Sequence, residues 1–151
     1  MSYYLYNNEA IGAIGIAAVL NECQALSYSK SLLILPILFH EDTVSALKRS
    51  NSVIRSAEEL MIKKTSRFGN FNARFYSLLP ISLNSIMLLK QMGEIIITER
   101  SVCNSPQNKI DFNNAPLGKR AQNIIKAAPK LAELLSSEDD QSLFLKLRIQ
   151  L

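Results

Sequence analysis

The side chains best suited to chemistry are few and scattered. His40, the one histidine, follows an apolar run and precedes Glu41 and Asp42. A histidine beside carboxylates can act as a general base; the competing reading is a cap at an element boundary. Cys23 and Cys103 lie far apart and lack the paired spacing of a zinc site, so each reads as a small hydrophobe. Glu138-Asp139-Asp140 could gather a cation, but it better suits the positive end of a helix dipole. Gly12 and Gly15 could belong to a phosphate loop, yet no Gly-Lys-Ser/Thr follows and no strand precedes them. In a helix they would permit close approach of another backbone. No nucleophile elbow and no zincin motif is present. We therefore expect no catalytic residue, no metal site and no cofactor.

The 151 residues are 48% hydrophobic and 20% charged, which excludes disorder and points to a filled core. That length fits one domain, residues 1–151, burying about two-thirds of its unfolded surface without staples. Two cysteines exclude a disulfide scaffold and fit a reducing compartment. The apolar stretches Ala10–Leu20 and Leu32–Phe39 fall short of the roughly 18 residues a membrane span requires. The N-terminus lacks the basic residues and cleavage site of a signal peptide. A cytoplasmic protein without membrane contact is expected.

Net charge is +4, distributed unevenly. Residues 1–45 carry −3, residues 46–130 carry +9 and residues 131–151 carry −2. The ordinary reading of the basic middle is a solvated face; the sharper one is contact with nucleic acid or an acidic protein.

The elements that would position these groups are mostly helical. Asn7-Asn8-Glu9 opens a helix running from Ala10 to about Gln24, apolar nearly all round and therefore buried. Ser27–Ser31 reads as a polar connector. Leu32–Phe39 is a buried helix or strand, with Pro36 better placed in a first helical turn. Asp42 or Thr43 starts a helix through about Arg49, Ser50-Asn51-Ser52 breaks it, and Val53–Lys64 forms another.

Asn70–Leu79 is a helix stopped by Pro80, Ile81–Met92 a second helix ended by Gly93, and Glu94–Arg100 a strand. Asn104–Asn108 is a turn and Lys109–Phe112 the return strand. Lys119–Leu135 is amphipathic, with a kink or break near Ala128 caused by Pro129. Ser137–Asp140 caps a last helix from about Gln141 to Lys146, and Leu147–Leu151 is read as a strand.

The fold class is α+β and predominantly helical. A winged-helix-like unit at about 70–112 (helix-turn-helix plus β-hairpin) is flanked by helical segments at 8–65 and 119–146. In a winged-helix DNA-binding regulator, the alternative function, Asn84 and Gln91 could read adenine edges. Arg74, Arg100 and Lys109 could hold phosphates, and Lys90 of the second helix is a further candidate nucleic-acid contact. The second helix offers no arginine for guanine.

An ordered set of segments resembles the middle component of bacterial three-component ABC systems, which include Lamassu-type anti-phage defence. The segments are Asn7–Ala10 opening an apolar helix, Leu32–His40 with its Pro36, and the helix–Pro–helix stretch Arg74–Leu89. Gly93–Ile97, Ala115–Ala128 and the tail Leu143–Leu147 complete it. The resemblance implies a non-catalytic accessory subunit bridging a coiled-coil, SMC-like ABC ATPase and an effector, often a nuclease. Such a subunit would help hold the effector inactive until invader DNA is sensed. DNA is reached through the complex, with direct contact left open. No catalytic residues carry over. Residues proposed for the partner interfaces are Pro36, His40, Arg74, Pro80, Lys119 and Arg120.

Overall fold

The computed structural model describes residues 7–49, 56, 59, 60, 70–113 and 117–151. Helix α1 (Glu9–Cys23) forms the centre. Its start follows from Asn8, whose side-chain oxygen accepts the Ala10 and Ile11 N–H groups at 3.0 and 3.2 Å. Nearly every residue from Gly12 to Leu20 is buried, as its all-round apolar character requires. A Cβ at Gly12 would lie 2.4 Å from Ser85 Oγ, and one at Gly15 would lie 3.2 Å from Leu38 Cδ1. The two glycines thus let neighbouring helices close onto α1.

After α1, β1 (Ala25–Ser27) and the one-turn α2 (Tyr28–Ser31) replace the expected polar connector. Ser27 both ends the strand and caps the turn, accepting from Lys30 N–H at 3.3 Å. Helix α3 (Ile34–Leu38) holds Pro36 in its first turn, where a missing N–H costs nothing. Helix α4 (Glu41–Leu47) begins earlier than expected, with His40 at the N-cap position and Glu41 and Asp42 in the first turn. The break at Ser50–Ser52 and most of the Val53–Lys64 helix lie outside the described residues; Glu59 and Leu60 within that stretch are helical and Leu60 is buried.

The largest correction concerns Pro80. Helix α5 (Phe71–Gln91) runs through it without a break, so the expected helix-turn-helix is not formed and the winged-helix unit loses its second, separate helix. An interior proline costs a helix roughly 3 kcal/mol. Phe71, Phe75 and Leu78 before it, and Ile81, Ile86 and Leu89 after it, are buried, so core packing on both sides offsets that cost. Pro80 itself is exposed.

Gly93 does end α5. At φ +75° its N–H donates to Lys90 O at 3.0 Å, and Glu94 N–H donates to Leu89 O at 3.0 Å. This pairing satisfies the last carbonyls of the helix.

Strands β2 (Ile95–Ile97) and β3 (Ser101–Asn104) follow, and the antiparallel sheet has the order β1-β3-β2. The hairpin is tighter than expected. Thr98 N–H donates to Ser101 O at 2.9 Å, and Thr98 Oγ1 accepts the Ser101 N–H at 3.0 Å, so the chain reverses at Glu99-Arg100. Lys109–Phe112 is not the return strand. Buried Glu94 instead accepts the Lys109 and Ile110 N–H groups at 2.9 and 3.3 Å on Oε2.

Helix α6 (Lys119–Ser137) is amphipathic as expected and runs through Pro129 unbroken. Helix α7 (Asp140–Lys146) is capped by Asp139, which accepts Ser142 N–H at 2.9 Å. The tail is not a strand: Arg148, at φ 57°, turns the chain so that Ile149 N–H reaches Phe144 O at 3.0 Å. Asn72 and Tyr76 of α5 then hold Gln150. Helices α5 and α6 both pack on α1, and buried side chains from α1 and from α3 to α7 merge into one core. The α+β, mostly helical class is as expected.

Candidate interaction surfaces

Of the residues proposed for partner contact, Lys119, Arg120 and His40 gather at one region, Pro80 is exposed on α5, and Pro36 and Arg74 form an internal link; a second region holds none of them. The link is Arg74 on α5. Its Nε–H donates to the Pro36 carbonyl at 2.9 Å, and its guanidinium lies 5.3 Å from the Phe71 ring centroid. Pro36 is wholly within the core. These two residues join α3 to α5, which makes them internal struts.

The first region is a cleft of about 310 Å³ between α4 and α6, lined by Phe39, Glu41, Lys119, Arg120 and Asn123 among others. Arg120 is half-buried: it lies 4.8 Å from the Phe39 ring centroid and donates to Asn7 Oδ1 at 2.5 Å. Stacking on the ring and the amide bond fix it in place. Lys119 is exposed at the start of α6. Lys48 Nζ donates to Asn123 Oδ1 at 3.3 Å across the same side. His40, half-buried beside this cleft, pairs its Nδ1 with Thr43 Oγ1 at 2.8 Å. The cleft therefore offers cationic donors around an aromatic floor, with Glu41 as the one lining acid among the described residues.

The second region is an apolar groove of about 690 Å³ between α5 and α7, lined by Leu32, Phe75, Tyr76, Leu79, Phe144 and Ile149 among others. Phe75 meets Tyr76 and Phe144 edge-on, at centroid distances of 5.2 and 5.8 Å. Asp140 closes one end. Its carboxylate accepts from Ser27 Oγ at 2.5 Å and from Ser29 Oγ, with Lys30 Nζ at 3.9 Å. Partial burial pushes the Asp140 pKa upward, but the two hydroxyls and Lys30 outweigh it and hold the carboxyl below its ordinary value.

Sequence reasoning missed this groove. Its walls come from residues more than a hundred positions apart, Ser27 and Ser29 against Asp140, and no local pattern encodes that meeting. The one available signal was the close sequence of apolar residues in Phe75–Leu79.

The residues proposed for nucleic acid do not converge on one helix face. Asn84 Nδ2 donates to Glu9 Oε1 at 3.2 Å, which ties it to α1. Lys90 lies in the last turn of α5, Arg100 sits at the hairpin tip, and Lys109 lies on the segment held by Glu94; all three are exposed. Gln91 is exposed beside Lys90. The proposed reading helix is the second half of α5, and nothing in its setting supports the DNA-binding regulator.

Burial pushes the Cys23 thiol upward from its ordinary value, and its Sγ–H donates to Val19 O at 3.3 Å. That is the environment of a structural thiol. Cys103 Sγ lies 3.4 Å from Ser101 Oγ on β3. Among the described residues no three His, Cys, Asp or Glu side chains come together to hold a metal ion. No helix among them is long and apolar enough to cross a membrane.

Residues 3–151 match the family model described as ABC-three component (ABC-3C) system Middle Component 3. No curated protein and no solved structure matches the chain.

Proposed function

The chain belongs to the Middle Component 3 family of ABC-three component systems, and from that premise we propose that it is a non-catalytic bridging subunit. In this reading it joins a coiled-coil, SMC-like ABC ATPase to an effector, a nuclease, within a Lamassu-type anti-phage complex. The observation that carries the reading is a pair of unlike concave surfaces on different helices of one packed core. One is the apolar groove of α5 and α7, and the other is the cationic cleft of α4 and α6. A bridge needs two such faces at a fixed separation, and residues 1–151 would act as one unit.

The mechanism is steric. Each face clamps one partner, and the effector is held inactive while both are engaged. Release requires that the ATPase bind the clamped and released states with different affinity, since equal affinity shifts no equilibrium. Invader DNA acts on the ATPase and is reached through the complex.

Lys119 is the residue to substitute in the cleft, because Arg120 also holds Asn7 and Phe39. The reading predicts that ATPase and effector co-purify only when this chain is present, and that Lys119→Glu weakens the assembly. Equal ATPase–effector association without the chain would sink the bridge; intact assembly of Lys119→Glu would remove the cleft from it.

A further inference from the structure

Six positions of α5 spaced alternately by three and four residues, Ala73, Tyr76, Pro80, Leu83, Met87 and Lys90, all face solvent. The large ones are substantially bare: Tyr76 is 43%, Leu83 48% and Met87 45% exposed. Water-facing helix surfaces are ordinarily polar; this one is apolar along five consecutive positions and ends in a lysine. Alternation by three and four averages 3.5 residues, the repeat with which one helix lies along another in a left-handed supercoil. The row extends about 25 Å at 1.5 Å per residue.

Charge narrows the occupant. Helix α5 contains no acid, and its charged residues are Arg74 and Lys90. Ser77, Asn84 and Gln91, which flank the row, are uncharged. Two copies of α5 laid parallel would place Lys90 against Lys90. Laid antiparallel, they would offer Lys90 no carboxylate from α5, and Glu9, the acid beside the row, is tied to Asn84 at its middle. The surface is thus complementary to a different helix that carries an acid at one end.

We propose that this face of α5 docks an amphipathic α-helix from another component of the same three-component system. That helix would carry its own 3.5-residue apolar repeat and a Glu or Asp opposite Lys90. The inference rests on the bridging reading and names the element that makes one of its contacts. Tyr76 belongs to both the row and the apolar groove, so a docked helix would cover the groove's rim. Pro80 adds to the fit, since it has no N–H to give the Tyr76 carbonyl.

The test uses the full chain co-expressed with the other components of its system. Leu83→Asp with Met87→Asp should lower affinity for the assembly at least ~tenfold, as loss of central apolar anchors does. Gln122→Asp with Lys126→Asp, at the same spacing on α6, should leave it unchanged. A photoreactive side chain at Leu83 in the otherwise native chain should crosslink to a helical segment of another component. Assembly of the α5 variant within about threefold of wild type would overturn the proposal while leaving the bridge standing. A crosslink between two copies of this chain would do the same. Failure of the wild-type chain to assemble at all would overturn both.

Discussion

Helices α5 and α6 are a natural pair for comparison. Each is long, each packs on α1, and each carries one interior proline on its exposed side. Their inner faces are equivalent in kind: Leu78 and Leu89 are buried on one, Ile124 and Leu131 on the other. Their outer faces differ. On α6 the exposed positions at three- and four-residue spacing are Lys119, Gln122, Lys126, Pro129, Glu133 and Ser136. The same spacing on α5 gives Ala73, Tyr76, Pro80, Leu83, Met87 and Lys90. Helix α6 finishes its burial inside the chain. Helix α5 presents a second apolar face, exposed at Tyr76, Leu83 and Met87, for which the described residues supply no cover. Equal architecture with unequal outer chemistry marks the α5 row as the one suited to an apolar partner helix, while α6 offers a partner only the charged cleft at its start.

Experiments on matched positions sharpen the contrast. The largest effects belong to the inner faces and should be alike. Leu78→Ala on α5 and Leu131→Ala on α6 should each cost about 2–5 kcal/mol in urea unfolding, because both side chains are fully enclosed. A much smaller loss at Leu78 would mean that α5 is loosely held.

The prolines come next. Replacing either with alanine restores a donor to the helix ladder. Pro80→Ala and Pro129→Ala should each stabilise the protein, by up to ~3 kcal/mol, as read from the denaturant midpoint. If the α5 face is a docking site, Pro80→Ala should also alter assembly, whereas Pro129→Ala should not. A destabilised Pro80→Ala would show that the helix is shaped around the ring.

The glycines of α1 separate the two contacts more finely. Gly12→Ala drives a methyl into Ser85 of α5 and should cost about 1–2 kcal/mol net of its helix-propensity gain; Ser85→Ala in addition should recover part of that. Gly15→Ala is tight only against the end of Leu38, at 3.2 Å, with Ile124 and Leu35 at ordinary contact distances of 3.5 and 3.6 Å, and should stay within about 1 kcal/mol of wild type. Thermal melts of the three variants suffice.

The smallest effect is the pH dependence at Asp140. A carboxyl whose folded pKa is lowered contributes stability above its unfolded value, about 3.9, and loses it as pH falls through the folded value. Melting temperatures followed from pH 7 down to pH 2 should fall further in wild type than in Asp140→Asn. Parallel curves would mean that Ser27, Ser29 and Lys30 do not favour the charged form.

Several of these elements were legible in the sequence because their cause is local. Asn8 caps the helix it precedes, Gly93 stops α5 in the left-handed backbone region that favours glycine, Asp139 caps α7, and the apolar stripe of α6 announces its buried face. Misreadings occurred where a distant contact overruled a local rule. Pro80 signals a stop, but buried residues on both sides carry the helix through. Lys109–Phe112 has strand composition, but the carboxylate of Glu94 takes its N–H groups. The same holds for the surfaces. Lys119 and Arg120 do line a cleft, whereas Pro36 and Arg74 bind each other inside the molecule, and the α5–α7 groove depends on pairings no window of sequence contains. The family resemblance was legible in the order of segments, and residues 3–151 match that family.

The claim that the apolar row of α5, and not the matching polar row of α6 beyond its cleft-lining first turn, carries an interface is tested most directly by thiol accessibility. Leu83→Cys and Lys126→Cys variants would be labelled with a maleimide, free and assembled with the other components, and labelling at each site read by peptide mass. The account predicts that assembly slows labelling at position 83 at least ~tenfold and leaves position 126 unchanged. Equal labelling of position 83 in the free and assembled states would contradict it.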